Sequence, residues 1–427
     1  MRSNVYKKRK LDNGLRVITC SMGHMKSISL GIWIGVGGRY ENKRNAGISH
    51  FLEHLLFKGS KKFSGKEIKE SIEGVGGSLN GFTSEEFTCY LVKVVKKYLN
   101  QSLNVLSDMV INPKLASPDI EKERAVIKEE IKMYRDLPMH YVHELLNQLL
   151  WPGQPLGMNL AGTLETISQI GREALLKYKE KFYNPQNLVI ACAGPIEDKE
   201  LLKEVDKLFS NMPSEKKSQF QKVRESQDKP QTNLYFKQTE QTHISLGTHS
   251  LKRDHPDKYT LGLLHIILGG NMSSRLFQEV REKRGLAYEI STHVKWFEDT
   301  GAFGVDAGVD NKRIIQTIEV ILQELKKIKK SPVNKREFLR AKEYYTGQLL
   351  LALEDTMEHM FWIGESTVSL DKVYTQEEVL RELEQVKIED ITRVANKIFR
   401  NEGLNLALIG PISDKEKLKA EGILDVR

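Results

Sequence analysis

The sequence predicts an α+β protein of two similarly built halves, each a mostly antiparallel sheet packed against a layer of helices. A repeat, an alternation of strand-like and helix-like runs, and one polar connecting stretch predict it. The repeat is carried by two short segments. Ser27-Ile-Ser-Leu-Gly returns as His243-Ile-Ser-Leu-Gly, and Gly194-Pro-Ile-Glu-Asp-Lys-Glu returns as Gly410-Pro-Ile-Ser-Asp-Lys-Glu, both 216 positions on. Two matches at one offset, one near the start of a unit and one near its end, argue for duplication. The connecting stretch, residues 213–232, is polar and nearly free of large apolar side chains, so the expected organisation is 1–212, a linker, and 233–427.

Within the first half, Leu15 to Cys20, Ile28 to Val36 and Asn187 to Ala193 are apolar or β-branched and bounded by Gly, Asn or Pro, as strands are. Tyr98 to Ile111, Ser117 to Asp136 and Glu173 to Phe182 carry helical periodicity. Ser117-Pro118 supplies an N-cap followed by proline at the first helical position.

Composition excludes several function classes. The net charge is +8, but 65 basic and 57 acidic residues are interspersed with no basic run interleaved with aromatics, which argues against nucleic-acid binding. Lys326-Lys-Ile-Lys-Lys330 reads as the wet end of a helix. No uncharged apolar stretch is long enough to span a membrane. The start lacks a secretory signal, and Cys20, Cys89 and Cys192 form neither a disulfide framework nor a CxxC site, so a reducing, cytoplasmic setting is expected.

The chemistry lies in Asn45-Ala-Gly-Ile-Ser-His-Phe-Leu-Glu-His-Leu-Leu-Phe-Lys-Gly59. At about 100° per residue, His50, Glu53, His54 and Phe57 share one stripe, and Ile48, Phe51, Leu52, Leu55 and Leu56 cover the rest. Three titratable groups on an otherwise apolar helix are costly unless something binds them. Two histidines one turn apart can reach a single Zn²⁺, and a glutamate beside the second can hold and deprotonate the attacking water. This is the H-x-x-E-H order, the inverse of H-E-x-x-H. A third ligand should come from the buried face of another element. In the 117–136 helix, with Ile127 at the centre of the apolar stripe, Glu123 and Glu130 sit at the edge of the buried face and Glu129 points away. Periodicity selects Glu123 or Glu130 and does not separate them.

These segments resemble the pitrilysin-like (inverzincin, M16) metallopeptidases, whose members include mitochondrial processing peptidase, insulin-degrading enzyme and short bacterial processing-type proteases. In that family an H-F-L-E-H helix is followed by a ligand glutamate in an E-R-x-V-I-x-x-E stretch, here Glu123-Arg-Ala-Val-Ile-Lys-Glu-Glu130. The resemblance implies one Zn²⁺ per chain on His50, His54 and Glu130, Glu53 as the catalytic base, and Glu123 as a supporting carboxylate. It implies that Gly76-Gly-Ser-Leu-Asn-Gly-Phe-Thr83 is an edge strand taking up extended substrate, with Asn80 the side chain to watch. From the second half, Arg281 and Tyr288 of Arg281-Glu-Lys-Arg-Gly-Leu-Ala-Tyr288 would bind the substrate carbonyl and stabilise the oxyanion. That half has no metal site at the repeat offset, where Ile266 and Gly270 stand in place of His50 and His54. The implied activity is that of an endopeptidase acting on peptides or unfolded segments. The implied assembly is a homodimer whose Arg281 and Tyr288 act across chains. The alternatives are a non-catalytic scaffold, against which the intact His50, Glu53, His54 and Glu130 set argues, and a basic nucleic-acid binder, against which the mixed charge pattern argues.

Overall fold

A computed structural model describes residues 6–215 and 218–427. The fold is α+β, with two sheets, each packed against helices. The first sheet contains β1 (Tyr6–Lys10), β2 (Arg16–Ser21), β3 (Ser27–Ile34), β4 (Ser78–Thr83), β5 (Thr88–Val95) and β6 (Leu188–Gly194) in the order β1-β2-β6-β3-β5-β4. Only the β2–β6 pair is parallel. The second sheet contains β7 (Gln231–Phe236), β8 (Gln241–His249), β9 (Ala287–Trp296), β10 (Gly301–Asp310) and β11 (Asn405–Gly410) in the order β7-β11-β8-β10-β9, with β7–β11 its one parallel pair. Leaving β1 aside, the two sheets have the same order and strand sense. The repeated segments fall on β3 and β8 and at the ends of β6 and β11, so the duplication read from sequence is a duplication of topology.

Contacts divide the chain into two compact units, neither of them one continuous stretch. One takes residues up to Ile131 together with Asn159–Gln221 and Leu350–Gln376; the other takes Lys132–Met158, Lys222–Leu349 and Glu377–Arg427. Each unit thus uses a helix encoded among residues of the other. In the first unit the cause is a sheet apolar on both faces. There Val17, Leu30, Ile32, Tyr90 and Ile190 face Phe51, Leu52 and Leu55 of the helix Ile48–Leu56 and Leu103 and Leu106 of the helix Leu99–Ile111. The alternate residues Ile18, Cys20, Trp33, Cys89 and Ala191 point the other way, as strand periodicity requires, and are covered by Met360, Ile363 and Val368 of the helix Thr356–Leu370. A Cβ added to Gly364 would lie 2.2 Å from the Trp33 indole nitrogen, so glycine is what lets that helix approach the sheet. In the second unit the helix Pro138–Leu150 lays Val142, Leu145 and Leu146 on Ala302, Ala407 and Ile409. All three cysteines are buried and unpaired. Among the described residues no helix is long and apolar enough to cross a membrane.

Candidate metal centre

The helix Ile48–Leu56 begins at Gly47, whose φ of 91° suits glycine, and a Cβ there would lie 2.6 Å from the Ala161 carbonyl oxygen. Glycine offers no capping side chain, so the first turn is capped from outside. Glu41 accepts hydrogen bonds from the backbone N–H of Gly47 (2.7 Å) and of Ser49 (2.9 Å), and the Ser49 hydroxyl meets the Tyr178 hydroxyl at 2.7 Å. A carboxylate at a helix N-terminus satisfies orphan donors and complements the helix dipole. Glu41 therefore sets the start of the helix that bears both histidines. Nothing in the motif marks it, because its partners are backbone atoms.

His50 and His54 lie one turn apart with ring centroids 4.6 Å from each other. The helix Ser117–Asp136 supplies the opposing carboxylates. The same Glu130 oxygen, Oε2, stands 3.8 Å from His50 Nε2 and 3.6 Å from His54 Nε2. Glu123 Oε2 is 3.1 Å from His54 Nδ1, and its other oxygen holds the Lys58 ammonium at 2.7 Å. With Nδ1 engaged by Glu123, His54 is left with Nε2 directed at Glu130. Glu129, on the same helix, is exposed. The structure thus separates the two carboxylates that periodicity left open: Glu130 faces both Nε2 atoms and Glu123 stands behind one ring.

Two imidazoles and one carboxylate converging from two helices are donors of the kind that hold Zn²⁺, and separations of 3.6–3.8 Å are close to what one ion would span. Burial, and then the neighbouring His54, pulls the His50 imidazole down to about 3, so its ring is neutral and its lone pair is available at physiological pH. Burial pushes the Glu130 carboxyl up, opposed by His54. A bound cation would reverse that direction.

Glu53 is buried beside this set and is not one of the converging ligands. Burial raises its pKa, against the opposing effects of His54 and of a hydrogen bond from the Thr83 hydroxyl at 3.1 Å. Thr83 lies on β4, and a Cβ added to Gly81 of that strand would come within 3.2 Å of Glu53 Oε1. The carboxylate therefore rests against β4, an edge strand that among the described residues pairs with β5 alone. Asn80 is exposed on that strand, its side-chain oxygen accepting from the Gly81 N–H at 2.9 Å.

In the second unit, Arg281 belongs to a π-helical turn, Phe277–Glu282, with its guanidinium 5.0 Å from the centre of the Tyr288 ring. Opposite the step from Gly308 to Val309 the β9 register slips, so that Gly308 pairs with Glu289 and Val309 with Ala287. Tyr288 is the extra residue of this β-bulge and is 76% exposed. Bulges and π-turns both re-aim side chains and recur near functional sites. His265, adjacent to the degenerate position Ile266, bonds the Thr292 hydroxyl at 2.7 Å, a structural role.

The Glu41 contact has a measurable consequence. Burial raises its carboxyl to about 7, above its ordinary 4.5, against the opposing bonds from Ser49 and Gly47. A raised folded-state value gives stability that is complete below about 4.5 and lost as pH rises through about 7. Relative to Glu41→Gln, wild-type stability should therefore fall by up to roughly 3 kcal/mol across that window and stay level above it. Denaturant melts of both proteins from pH 4 to 8 test this, and a pH-independent difference would contradict it.

Comparison with known proteins agrees with the geometry. A family model described as insulinase (peptidase family M16) matches residues 16–164, and one described as the peptidase M16 inactive domain matches residues 169–345. An uncharacterised zinc protease of Bacillus subtilis is 37% identical over 405 residues, covering 95% of this chain and 98% of that protein. An uncharacterised zinc protease of Streptomyces coelicolor is 34% identical over 412 residues, covering 95% and 90%. A crystal structure of a protease from Helicobacter pylori superposes with a TM-score of 0.90 at 23% identity, over 96% of this chain and all of that one, a likeness of fold. The first model spans His50, His54 and Glu130, and the second spans Ile266 and Gly270, which stand 216 positions beyond the two histidines. The chain belongs to peptidase family M16, among relatives named as zinc proteases.

Proposed function

We propose that this protein is a zinc-dependent endopeptidase that cleaves peptides and unfolded or extended segments of polypeptides. The observation that carries the reading is the convergence of His50 Nε2, His54 Nε2 and Glu130 Oε2 beside a buried Glu53 that stands outside that set and lies against an open strand edge. His50, His54 and Glu130 would hold the metal, which when bound supplies Lewis-acid activation of water and of the scissile carbonyl.

The chain's own residues do the rest. Glu53 takes a proton from the attacking water at one carboxylate oxygen while the water oxygen bonds to the carbonyl carbon. As the C–N bond breaks, the same carboxyl returns that proton to the leaving amine. Burial favours the protonated form that this return needs. The Thr83 hydroxyl fixes the orientation of Glu53, and Glu123, anchored by Lys58, fixes the ring of His54. The free edge of β4 pairs with substrate backbone, giving affinity with little demand on side chains, and Asn80 lies beside that path. Arg281 and Tyr288 bind the substrate carbonyl and the developing oxyanion. A homodimer in which these two residues serve the partner's metal centre completes the proposal. Mixed Glu53→Gln and Tyr288→Phe chains should then recover activity that neither has alone; no recovery after proven subunit exchange would remove this part.

A strand-addition site requires an unpaired backbone, so a folded substrate must first open. A globular protein stable by about 5 kcal/mol should be cut at least about a thousandfold more slowly than the same chain unfolded. Mass spectrometry of the products should show internal cleavage. Equal rates on the folded and unfolded forms, or release of terminal residues only, would overturn the reading.

A further inference from the structure

A second cluster of metal-ligating side chains lies in the other unit, beside a cavity that Tyr288 also lines. His143 is on the first turns of the helix Pro138–Leu150, His293 on β9 and Asp306 on β10. Each offers one ligand atom, and the three atoms lie within 4.8 Å of one another, the same criterion that His50, His54 and Glu130 meet. Asp306 is the hinge of the group. One carboxylate oxygen stands 3.4 Å from His143 Nδ1, and the other accepts from His293 Nδ1 at 2.5 Å.

We propose that His143, His293 and Asp306 form a second binding site for a divalent transition-metal ion of the zinc class. Three features beyond proximity support it. First, Asp306 is held by a bond from the Ser245 hydroxyl at 2.6 Å, the kind of support that orients a metal-binding carboxylate. Second, the sheet makes room for the imidazole: Gly304 pairs with His293, and a Cβ there would lie 2.2 Å from the ring. Third, the site has an open side. His143 and Asp306 line a cavity of about 270 Å³ with His243 and Glu289, which flank Gly308 across the neighbouring strands.

Two imidazoles and one carboxylate with an open position suit Zn²⁺ and its neighbours and do not suit Ca²⁺ or Mg²⁺, which take oxygen ligands. Binding at His293 Nδ1 would break its hydrogen bond to Asp306 and leave the ring proton on Nε2. The spacing 143, 293, 306 matches no metal motif, because the ligands meet only through strand pairing and one covering helix.

The test uses the full chain dialysed against buffered Zn²⁺ at about 10 µM free ion, a level that fills sites of ordinary micromolar affinity. Metal content should be two ions per chain in the wild type and one in His143→Ala, whose side chain is 40% exposed and whose loss leaves the other metal centre intact. Asp306→Asn should behave in the same way. The His50→Ala/His54→Ala chain gives an independent readout with Co²⁺, whose visible spectrum should be that of a nitrogen-ligated ion. One ion per wild-type chain, a second ion that survives His143→Ala and His293→Ala together, or the spectrum of hydrated Co²⁺ would each overturn the proposal.

Discussion

Replacing Glu53 by glutamine should lower the rate of peptide hydrolysis by roughly 10²–10⁴-fold while leaving the ion on His50, His54 and Glu130 in place. The amide is nearly the same size and can keep its contact with the Thr83 hydroxyl, so the helix Ile48–Leu56 and its ligands should not move. It cannot take a proton from water at neutral pH, so the step in which the water oxygen reaches the carbonyl carbon loses its base. KM should change little if, as proposed, the substrate strand pairs with the β4 backbone and not with this side chain. Metal analysis alongside the kinetics decides the matter. Loss of the ion together with loss of rate would make Glu53 a ligand, and retention of full activity would remove it from the mechanism.

The carboxylates of the helix Ser117–Asp136 should show graded effects. Glu130→Gln should weaken zinc binding by more than about 100-fold and lower activity with it, since removing a supporting group alone costs about 10–100-fold. Glu123→Gln should fall in that supporting range, because its carboxylate fixes the ring of His54 through Nδ1 and is itself anchored by Lys58. Glu129→Gln should leave both quantities unchanged, since its side chain is exposed on another face of the helix. Zinc affinities from competition with a chromogenic chelator give the ordering directly. If Glu129→Gln strips the metal, the assignment of faces on this helix is wrong.

Features decided over one or two helical turns are legible in the sequence. His50, Glu53 and His54 are tied by the pitch of a single helix, and the apolar residues around them leave that helix only a buried place. The phase of the second helix narrowed its carboxylates to two. The resemblance chose between them, and the contact of Glu123 with His54 Nδ1, which periodicity does not contain, places Glu123 behind that ring. The duplication was legible because it left matching segments at the strand positions that the two sheets share.

What sequence could not show depends on distant partners. Trp33 and Cys89 demand a cover for the outer sheet face, but nothing local says that Met360 and Ile363 provide it. Glu41 acts on backbone atoms and leaves no spacing to find. The exposure of Tyr288 follows from a bulge that exists only once β9 pairs with β10. The His143, His293 and Asp306 cluster likewise exists only where the helix Pro138–Leu150 covers those strands.

Hydrolysis in the proposed mechanism runs on an ion held by His50, His54 and Glu130. That dependence is tested most directly by stripping the protein with a chelator and returning Zn²⁺ in measured steps to wild type and to His54→Ala, following peptide cleavage and bound metal together. In the wild type, cleavage should be absent in the stripped protein and should rise with the most tightly bound ion, reaching its plateau when that ion is complete. In His54→Ala it should not return at any step. Cleavage that persists in the stripped wild type, or that zinc restores to His54→Ala, would contradict the account.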